Sequence, residues 1–403
     1  MELILFTSSF PHGIQEQWKI EEIKSLQSKF SKITVIPFSS NAVTSRPPGL
    51  LSNVNFLAPF FNKSIFLKPK IFFQLISKRS FNYAISFIKQ KAYLSKVRMI
   101  TFITAIYSIE KMINSPFVIS LQKREDKNNI VLYFYWAAGA SFMVPFLKGF
   151  KKIVVRFHGF DLYEERSGGF IPYRYELLSK MTYGVFISKN GLKYLTSKYI
   201  GIEEKCKIFR LGVMPSGNAV RSNDGTLRMV SCSSVISLKR VSLILEAVKL
   251  LKFSVEWLHI GGGDLFEILK REATNVPAHV KVILVGEIHS SKVMGYYSNQ
   301  PVDLFINVST SEGVPVSIME AFSASIPVLA TDVGGTSEIV DENVGILMPA
   351  SVGANAIAKC ITKFYKLNDS QKEILSQNAK KRFEEMCNAN KLNEIFAQFL
   401  SSL

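Results

Sequence analysis

The chain has 403 residues, enough for two or three domains, because single cores stop growing near ~250–300 residues. It is 47% hydrophobic and 20% charged, which excludes a disordered chain; collagen-like, coiled-coil and small disulfide scaffolds fail on the same count. The net charge of +17 is lopsided: residues 1–200 carry 28 Lys and Arg against 11 Asp and Glu, whereas residues 201–403 carry 21 of each. The two halves are therefore expected to meet different partners.

The sequence opens Met-Glu-Leu-Ile-Leu-Phe without a basic region before the apolar run, so no secretory signal is expected. Strand candidates follow at Leu3–Phe6, Ile33–Ile36, Val131–Tyr135, Ile153–Phe157 and Val185–Ile187. Between the second and third lies Lys63–Lys111, with ten Lys and Arg against the single acid Glu110, interleaved with Phe66, Phe72, Phe73, Phe81, Tyr83, Phe87 and Tyr93. It reads as two or more basic, aromatic-rich amphipathic helices inserted in the first domain. The uncharged run Val131–Leu147 is shorter than the ~18–20 apolar residues of a membrane span and contains Gly139 and Pro145. It fits a buried strand leading into a helix.

After a Pro/Ser/Gly/Asn stretch at Pro215–Gly225, strand candidates resume at Met229–Ser233, Val255–Ile260, Val280–Val285, Leu304–Val308, Val328–Ala330 and Ile346–Met348. Leu243–Leu251 and Ser317–Ser325 have helical apolar spacing, and the tail from about Ser370 is helical. Alternating strands and helices predict an α/β protein of two doubly wound, Rossmann-like domains, 1–214 and 226–385, with a C-terminal helix at 386–403 that returns to the first domain. The four cysteines, Cys206, Cys232, Cys360 and Cys387, are far apart and form no Cys-x-x-Cys, which suits a reduced, cytosolic protein without zinc.

The densest motif runs from Asn307 to Val340. Glu312 and Glu320 are eight residues apart, about 80° of rotation on one helix. Gly313 and Pro315 break the segment instead, placing Glu312 in the loop after a strand and Glu320 in the helix that begins near Val316. That is where an open α/β sheet binds ligands, and the helix start suits a diphosphate. Gly334–Gly335 opens the next turn. Taken singly, each feature has an ordinary reading as a solvated acid or a plain turn. Their combined spacing points to a site. Other candidates are Ser234, Lys239 and Arg240 before a helix, the glycine turn Gly261-Gly262-Gly263, the strand-ending Val155-Arg-Phe-His158-Gly-Phe-Asp161, and Phe10-Pro-His-Gly13.

Residues 304–348 resemble the donor-binding core of the retaining nucleotide-sugar glycosyltransferases of family 4, which have the GT-B fold. The family pattern Ser-x-x-Glu-Gly-x-Pro-x-x-x-x-Glu-Ala, Gly-x-Pro-Val-x-Ala-Thr, Gly-Gly-x-x-Glu-Ile-Val is met by Ser309, Glu312, Gly313, Pro315, Glu320, Ala321, Pro327, Val328, Ala330, Thr331, Gly334, Gly335 and Glu338–Val340. Ser325 stands where the family usually has Gly, and Ser234 where it usually has Arg. Tyr133-x-Tyr135-Trp136 is similar to polysaccharide-assembly members.

The resemblance implies that Glu320 holds the nucleotide ribose and that Glu312 contacts the donor sugar. It implies that Gly313 and Val314 offer backbone amides and that Lys239 grips the leaving diphosphate, with Arg240 or Arg210 able to replace the Arg missing at Ser234. Gly262 and Gly263 would lie by the base, and His158 would touch the transferred sugar, with Gly13 and Asp161 on the acceptor or phosphate side. The fold implied is two Rossmann-like domains facing across a cleft, the first on the acceptor side. No metal or other cofactor is implied; the co-substrate would be a UDP- or GDP-sugar. The implied reaction is transfer to a glycan or lipid-linked acceptor in surface-polysaccharide synthesis. The insert Lys63–Lys111 would dock on an anionic membrane surface, at the cytoplasmic face of the inner membrane. A small soluble acceptor, a simple glycolipid and an inactive scaffold remain open. A basic nucleic-acid-binding protein would explain the charge but leaves Glu312 and Glu320 idle, so no nucleic acid is expected.

Overall fold

Short apolar runs become parallel strands, and the turn after each leads toward helices that cover the sheets. The computed structural model describes residues 1–12, 16, 18–40, 46–62, 79–289 and 292–403. The chain divides into two units, Met1–Phe209 with Asn393–Leu403, and Arg210–Leu392.

In the first unit β1 (Glu2–Thr7), β2 (Lys32–Pro37), β3 (Val54–Phe56), β4 (Ile130–Phe134), β5 (Ile153–Phe157), β6 (Tyr183–Phe186) and β7 (Cys206–Ile208) form a parallel sheet in the order β3-β2-β1-β4-β5-β6-β7. Its described helices are α1 (Lys19–Gln27), α2 (Ser80–Lys89), α3 (Lys96–Ile113), α4 (Pro116–Lys123), α5 (Arg174–Lys180) and α6 (Lys189–Lys198). Strand alternation sorts the core. Leu3 and Leu5 face Ile23 and Leu26 of α1 together with Phe396 and Leu400, while Ile4 and Phe6 share the other face with Phe102, Ile109 and Met112 of α3. Each such buried side chain contributes roughly 1.5–3 kcal/mol. The sequence reading omits β3 and β7. Each is three residues long and partly exposed, so periodicity cannot reveal it; backbone pairing with β2 and β6 creates it.

The basic segment is more deeply integrated than an appended pair of amphipathic helices. Residues 63–78, including Phe66, Phe72 and Phe73, lie outside the described residues. The rest is mostly α2 and α3, and the second half of α3 is core. Tyr83 is buried, its hydroxyl donating to Glu110 at 2.6 Å, and Phe102 is fully buried. Phe81 and Tyr93 remain exposed. Among the described residues no helix is long and apolar enough to cross a membrane.

The second unit has β8 (Leu227–Cys232), β9 (Val255–Ile260), β10 (Val280–Gly286), β11 (Leu304–Asn307), β12 (Val328–Thr331) and β13 (Gly345–Met348), all parallel, in the order β10-β9-β8-β11-β12-β13. Its helices are α7 (Val241–Lys249), α8 (Phe266–Glu272), α9 (Val293–Ser298), α10 (Val316–Ser323), α11 (Ala354–Tyr365) and α12 (Asp369–Met386); α13 (Ala389–Ser401) follows, and from Asn393 it belongs to the first unit. A capping box between Asn368 and Gln371 starts α12. Both units are thus doubly wound Rossmann-like folds. Strand order reverses between β1 and β4 and between β8 and β11, and ligands bind such sheets at those carboxyl ends.

Candidate functional site

At the second unit's reversal point, the loop after β11 meets the loop after β8. Asn307 ends β11 and accepts the Ser309 N–H through Oδ1 at 3.1 Å. Its Nδ2 donates to Glu312 Oε1 at 3.3 Å, and Lys239 Nζ donates to the same oxygen at 2.6 Å. The Thr310 N–H bonds the Leu238 carbonyl at 2.8 Å, and Thr331 of β12 donates to the Ser309 carbonyl at 2.6 Å. Two residues 73 positions apart, each chosen from motif spacing, therefore form one ion pair with a fixed backbone behind it. Gly334 explains the next turn: at φ +57° its α-carbon lies so close to Glu312 that a Cβ would meet that residue's carbonyl oxygen at 1.9 Å. Gly335 N–H then bonds the Gly313 carbonyl at 2.6 Å. The Val314 side chain is core, packed with Val230 and Ile318.

Glu320 lies in α10, which Pro315 caps in extended conformation. Burial pushes its carboxyl up to about 7. Among the described residues, no hydrogen bond or ion pair engages that carboxylate. Five residues later Ser325 adopts φ +63°, a left-handed conformation that costs a residue with Cβ roughly 1–2 kcal/mol. This is the physical reason for a glycine at that position; here the hydroxyl donates to Asn218 Oδ1 at 2.9 Å instead.

The remaining donor-side candidates are placed differently. Ser234 is exposed on the loop after β8. Arg240 is left-handed at the start of α7, and its Nε donates to the Val308 carbonyl at 2.7 Å, tying the two loops together. Arg210 is engaged with Glu338 at 2.6 Å. The turn after β9 is tight for backbone reasons: a Cβ at Gly263 would meet Val235 N and O at 2.9 and 2.8 Å, and one at Gly261 would meet the Ser233 carbonyl at 1.9 Å. Gly262 fits more loosely and accepts the Val235 N–H through its carbonyl at 2.8 Å. His259 of β9 has an ordinary core role, with Nδ1 2.8 Å from Ser231 Oγ, which also accepts from Trp257 Nε1.

In the first unit His158 follows β5 and is buried, its ring 4.1 Å from that of Trp136 and 5.0 Å from that of Tyr135. Asp161 organises the turn: Oδ1 accepts the His158 N–H at 2.8 Å, Oδ2 accepts the Ala137 N–H at 2.7 Å, and Oδ2 lies 3.4 Å from His158 Nδ1. Burial lowers the His158 pKa against the opposing pull of Asp161, so the ring is neutral at pH 7. Asp161 favours the proton on Nδ1, and Nε2 is then a buried lone pair with no partner among the described residues. Gly13 lies outside the described residues.

Sequence reasoning missed the groups that hold this site. Glu16 accepts from Ser9 N–H at 2.6 Å, Phe10 N–H at 2.7 Å and Trp136 Nε1 at 2.7 Å, and pairs with buried Lys19. Burial drives the Lys19 ammonium down to about 8, with Glu16 opposing, and the ammonium sits 3.8 Å from the Tyr135 ring centroid. Arg156 of β5 is buried and paired with Glu22, which also accepts from Tyr133 at 3.0 Å. No local spacing marks these pairs, because Glu16 meets Trp136 across 120 positions and Glu22 meets Arg156 across 134.

Residues 218–382 match the family Glycosyl transferases group 1, so the second unit carries a domain of that family. The amylovoran biosynthesis glycosyltransferase AmsK of Erwinia amylovora is 26% identical over 170 residues, 40% of this chain and 42% of that protein. The O-antigen biosynthesis glycosyltransferase WbnH of Escherichia coli is 38% identical over 92 residues, 23% of this chain and 25% of its own. The chain spans less than half the length of these two relatives. Among solved structures, the lipopolysaccharide outer core galactosyltransferase WaaB matches over the full length of both chains, with TM-score 0.68 and 12% identity. Anabaena HepE, in complex with UDP-glucose, matches over the full length of both with TM-score 0.61 and 16% identity. These likenesses establish the fold as GT-B.

Proposed function

We propose that the chain is a retaining glycosyltransferase that moves a sugar from a UDP- or GDP-sugar to a lipid-linked glycan during assembly of a bacterial surface polysaccharide. The observation that carries this reading is the Lys239–Glu312 pair and a half-buried Glu320 carboxylate that no donor engages among the described residues, both at one strand-order reversal. Such a carboxylate awaits donors, and the vicinal diol of a ribose supplies two. Lys239 would neutralise charge on the departing diphosphate, which is the main electrostatic demand of the transfer. Glu312 fixes the ammonium and orients the donor sugar, while His158 Nε2 accepts a sugar hydroxyl. The acceptor's proton goes to the leaving phosphate oxygen, so no carboxylate base and no metal are needed. The relatives named for amylovoran and O-antigen synthesis support the acceptor class, and a neighbour holding UDP-glucose supports the donor class. Thermal stabilisation screened across UDP-, GDP- and ADP-sugars tests the reading. At ~100 times Kd one of them should add about 2.7 kcal/mol; stabilisation by none would sink it.

The acceptor's lipid implies a membrane surface. Exposed Phe81, Ile88, Tyr93, Leu94 and Val97 lie with Lys89, Lys91, Lys96 and Arg98 on α2, α3 and the turn between them. Basic side chains near an anionic surface contribute roughly 1 kcal/mol each, and the apolar ones bury in the headgroup boundary. This patch would hold the protein on the cytoplasmic face of the inner membrane.

A further inference from the structure

The first unit contains a cavity of about 760 Å³, within the range of ~300–1,000 Å³ typical of small-molecule sites. Phe38, Phe142, Phe160, Phe170 and Ile171 contribute to its wall, and α3 forms one side. Its polar side chains are nearly all committed elsewhere. On α3, Thr101, Thr104 and Ser108 each donate at 2.8 Å to a carbonyl of their own helix. Thr7 donates to the Phe10 carbonyl and Ser167 to the Phe160 carbonyl. Asp161 is held by two backbone N–H groups and Trp136 by Glu16. Among the described lining residues, Ser8 is the polar side chain without such a bond. A sugar entering here would exchange water for few free donors, at a cost to its hydroxyl oxygens. A hydrocarbon loses nothing.

The cavity's position selects among hydrocarbons. Ile100 and Phe160 line it and are themselves exposed. Ile100 continues the exposed apolar and basic row that includes Val97, Lys96 and Arg98, and the Arg98 guanidinium lies over the Phe170 ring at 5.7 Å. Phe160 and Asp161 belong to the turn that follows His158, so the wall runs from the basic patch to that turn. An anionic head with a long apolar chain matches both ends. Building on the lipid-linked acceptor proposed above, we infer that this cavity receives the acceptor's hydrocarbon chain next to its phosphate, and so selects a lipid-borne glycan over the free one.

The test is equilibrium binding of a fluorescent polyprenyl phosphate in detergent micelles to the full chain, with inorganic phosphate as competitor and UDP titrated separately. Wild type should bind the probe, excess inorganic phosphate should not displace it, and Thr104→Trp, which fills the cavity from a half-buried helix position, should weaken it at least tenfold with UDP affinity unchanged. Equal binding by Thr104→Trp, or displacement by inorganic phosphate, overturns the inference. Should that variant misfold, a diazirine-bearing polyprenyl phosphate on wild type decides: labels on α3 and residues 136–142 support the cavity, and labels confined elsewhere refute it. A second copy filling the cavity would appear as a dimer that excludes the probe, which also refutes it. Loss of probe binding with UDP binding intact removes only this inference, whereas failure of every nucleotide to bind removes the glycosyltransferase reading.

Discussion

Glu320→Gln should make the protein more stable and its nucleotide binding worse, and the stability gain should depend on pH in a defined way. Burial raises the Glu320 carboxyl from 4.5 to about 7 in the folded chain. The folded state therefore holds a proton that the unfolded state releases, and stability falls as pH rises from 4.5 through about 7, then levels. At roughly 1.36 kcal/mol per pH unit, the folded wild type loses about 3 kcal/mol by pH 8 and less than about 1 kcal/mol by pH 5. Glutamine keeps the shape without the charge. Urea unfolding should accordingly show Glu320→Gln ahead by about 2–3 kcal/mol at pH 8 and within about 1 kcal/mol at pH 5. Saturating nucleotide-sugar should narrow the gap at pH 8, because the wild-type carboxylate then gains ribose donors and the amide loses acceptor strength. A gain that is the same at both pH values would show that burial of the charge is not its source. An undiminished gap under ligand would remove Glu320 from the nucleotide site.

Lys239→Met keeps the length of the stem and removes the charge, so kcat should fall about 100-fold, the size of one lost charge-stabilising donor; because the Lys239–Glu312 pair is partly exposed, unfolding free energy should drop by only about 1 kcal/mol. His158→Ala should depress turnover about tenfold with the fold intact and weaken binding of the sugar donor rather than of the acceptor, which steady-state kinetics with each substrate varied in turn would check. Turnover should survive EDTA, and strict dependence on added Mg²⁺ or Mn²⁺ would contradict the role given to Lys239. Ser325→Gly should raise the urea midpoint, with a net gain of about 0.5–1 kcal/mol after the glycine's own entropy cost. Ser325→Val should lower it.

What was legible before the structure was whatever is local. Apolar runs of three to six residues became strands, and the Asn307–Val340 motif put Glu312 in a loop and Glu320 in a helix because Gly313 and Pro315 force the break. Edge strands of three residues gave no period to read. Phe81, Tyr83, Phe87 and Tyr93 read together as faces of inserted amphipathic helices, whereas Tyr83 is core; a helix stripe becomes visible only when the sheet it covers is known. Nothing in the spacing joined Lys239 to Glu312, because that contact is made by two loops after β8 and β11 that neighbour in the sheet and not in the chain.

The same topology places two open acceptors near sheet ends. Asp161 accepts from two backbone amides, and Glu16 from four donors plus Lys19. Among the described residues His158 Nε2 is a buried acceptor without a partner, and the half-buried Glu320 carboxylate receives no hydrogen bond; each lies at or near the carboxyl end of a sheet. An unmet buried acceptor such as His158 Nε2 costs roughly 1–3 kcal/mol. An acceptor left open in each unit suits a hydroxyl donor. Nucleotide ribose and sugar provide that chemistry, whereas the apolar cavity beside His158 provides none of it. Hydroxyl-bearing and hydrocarbon parts of the substrates are thereby assigned to different walls, and Thr104→Trp and Glu320→Gln should each damage one assignment while sparing the other.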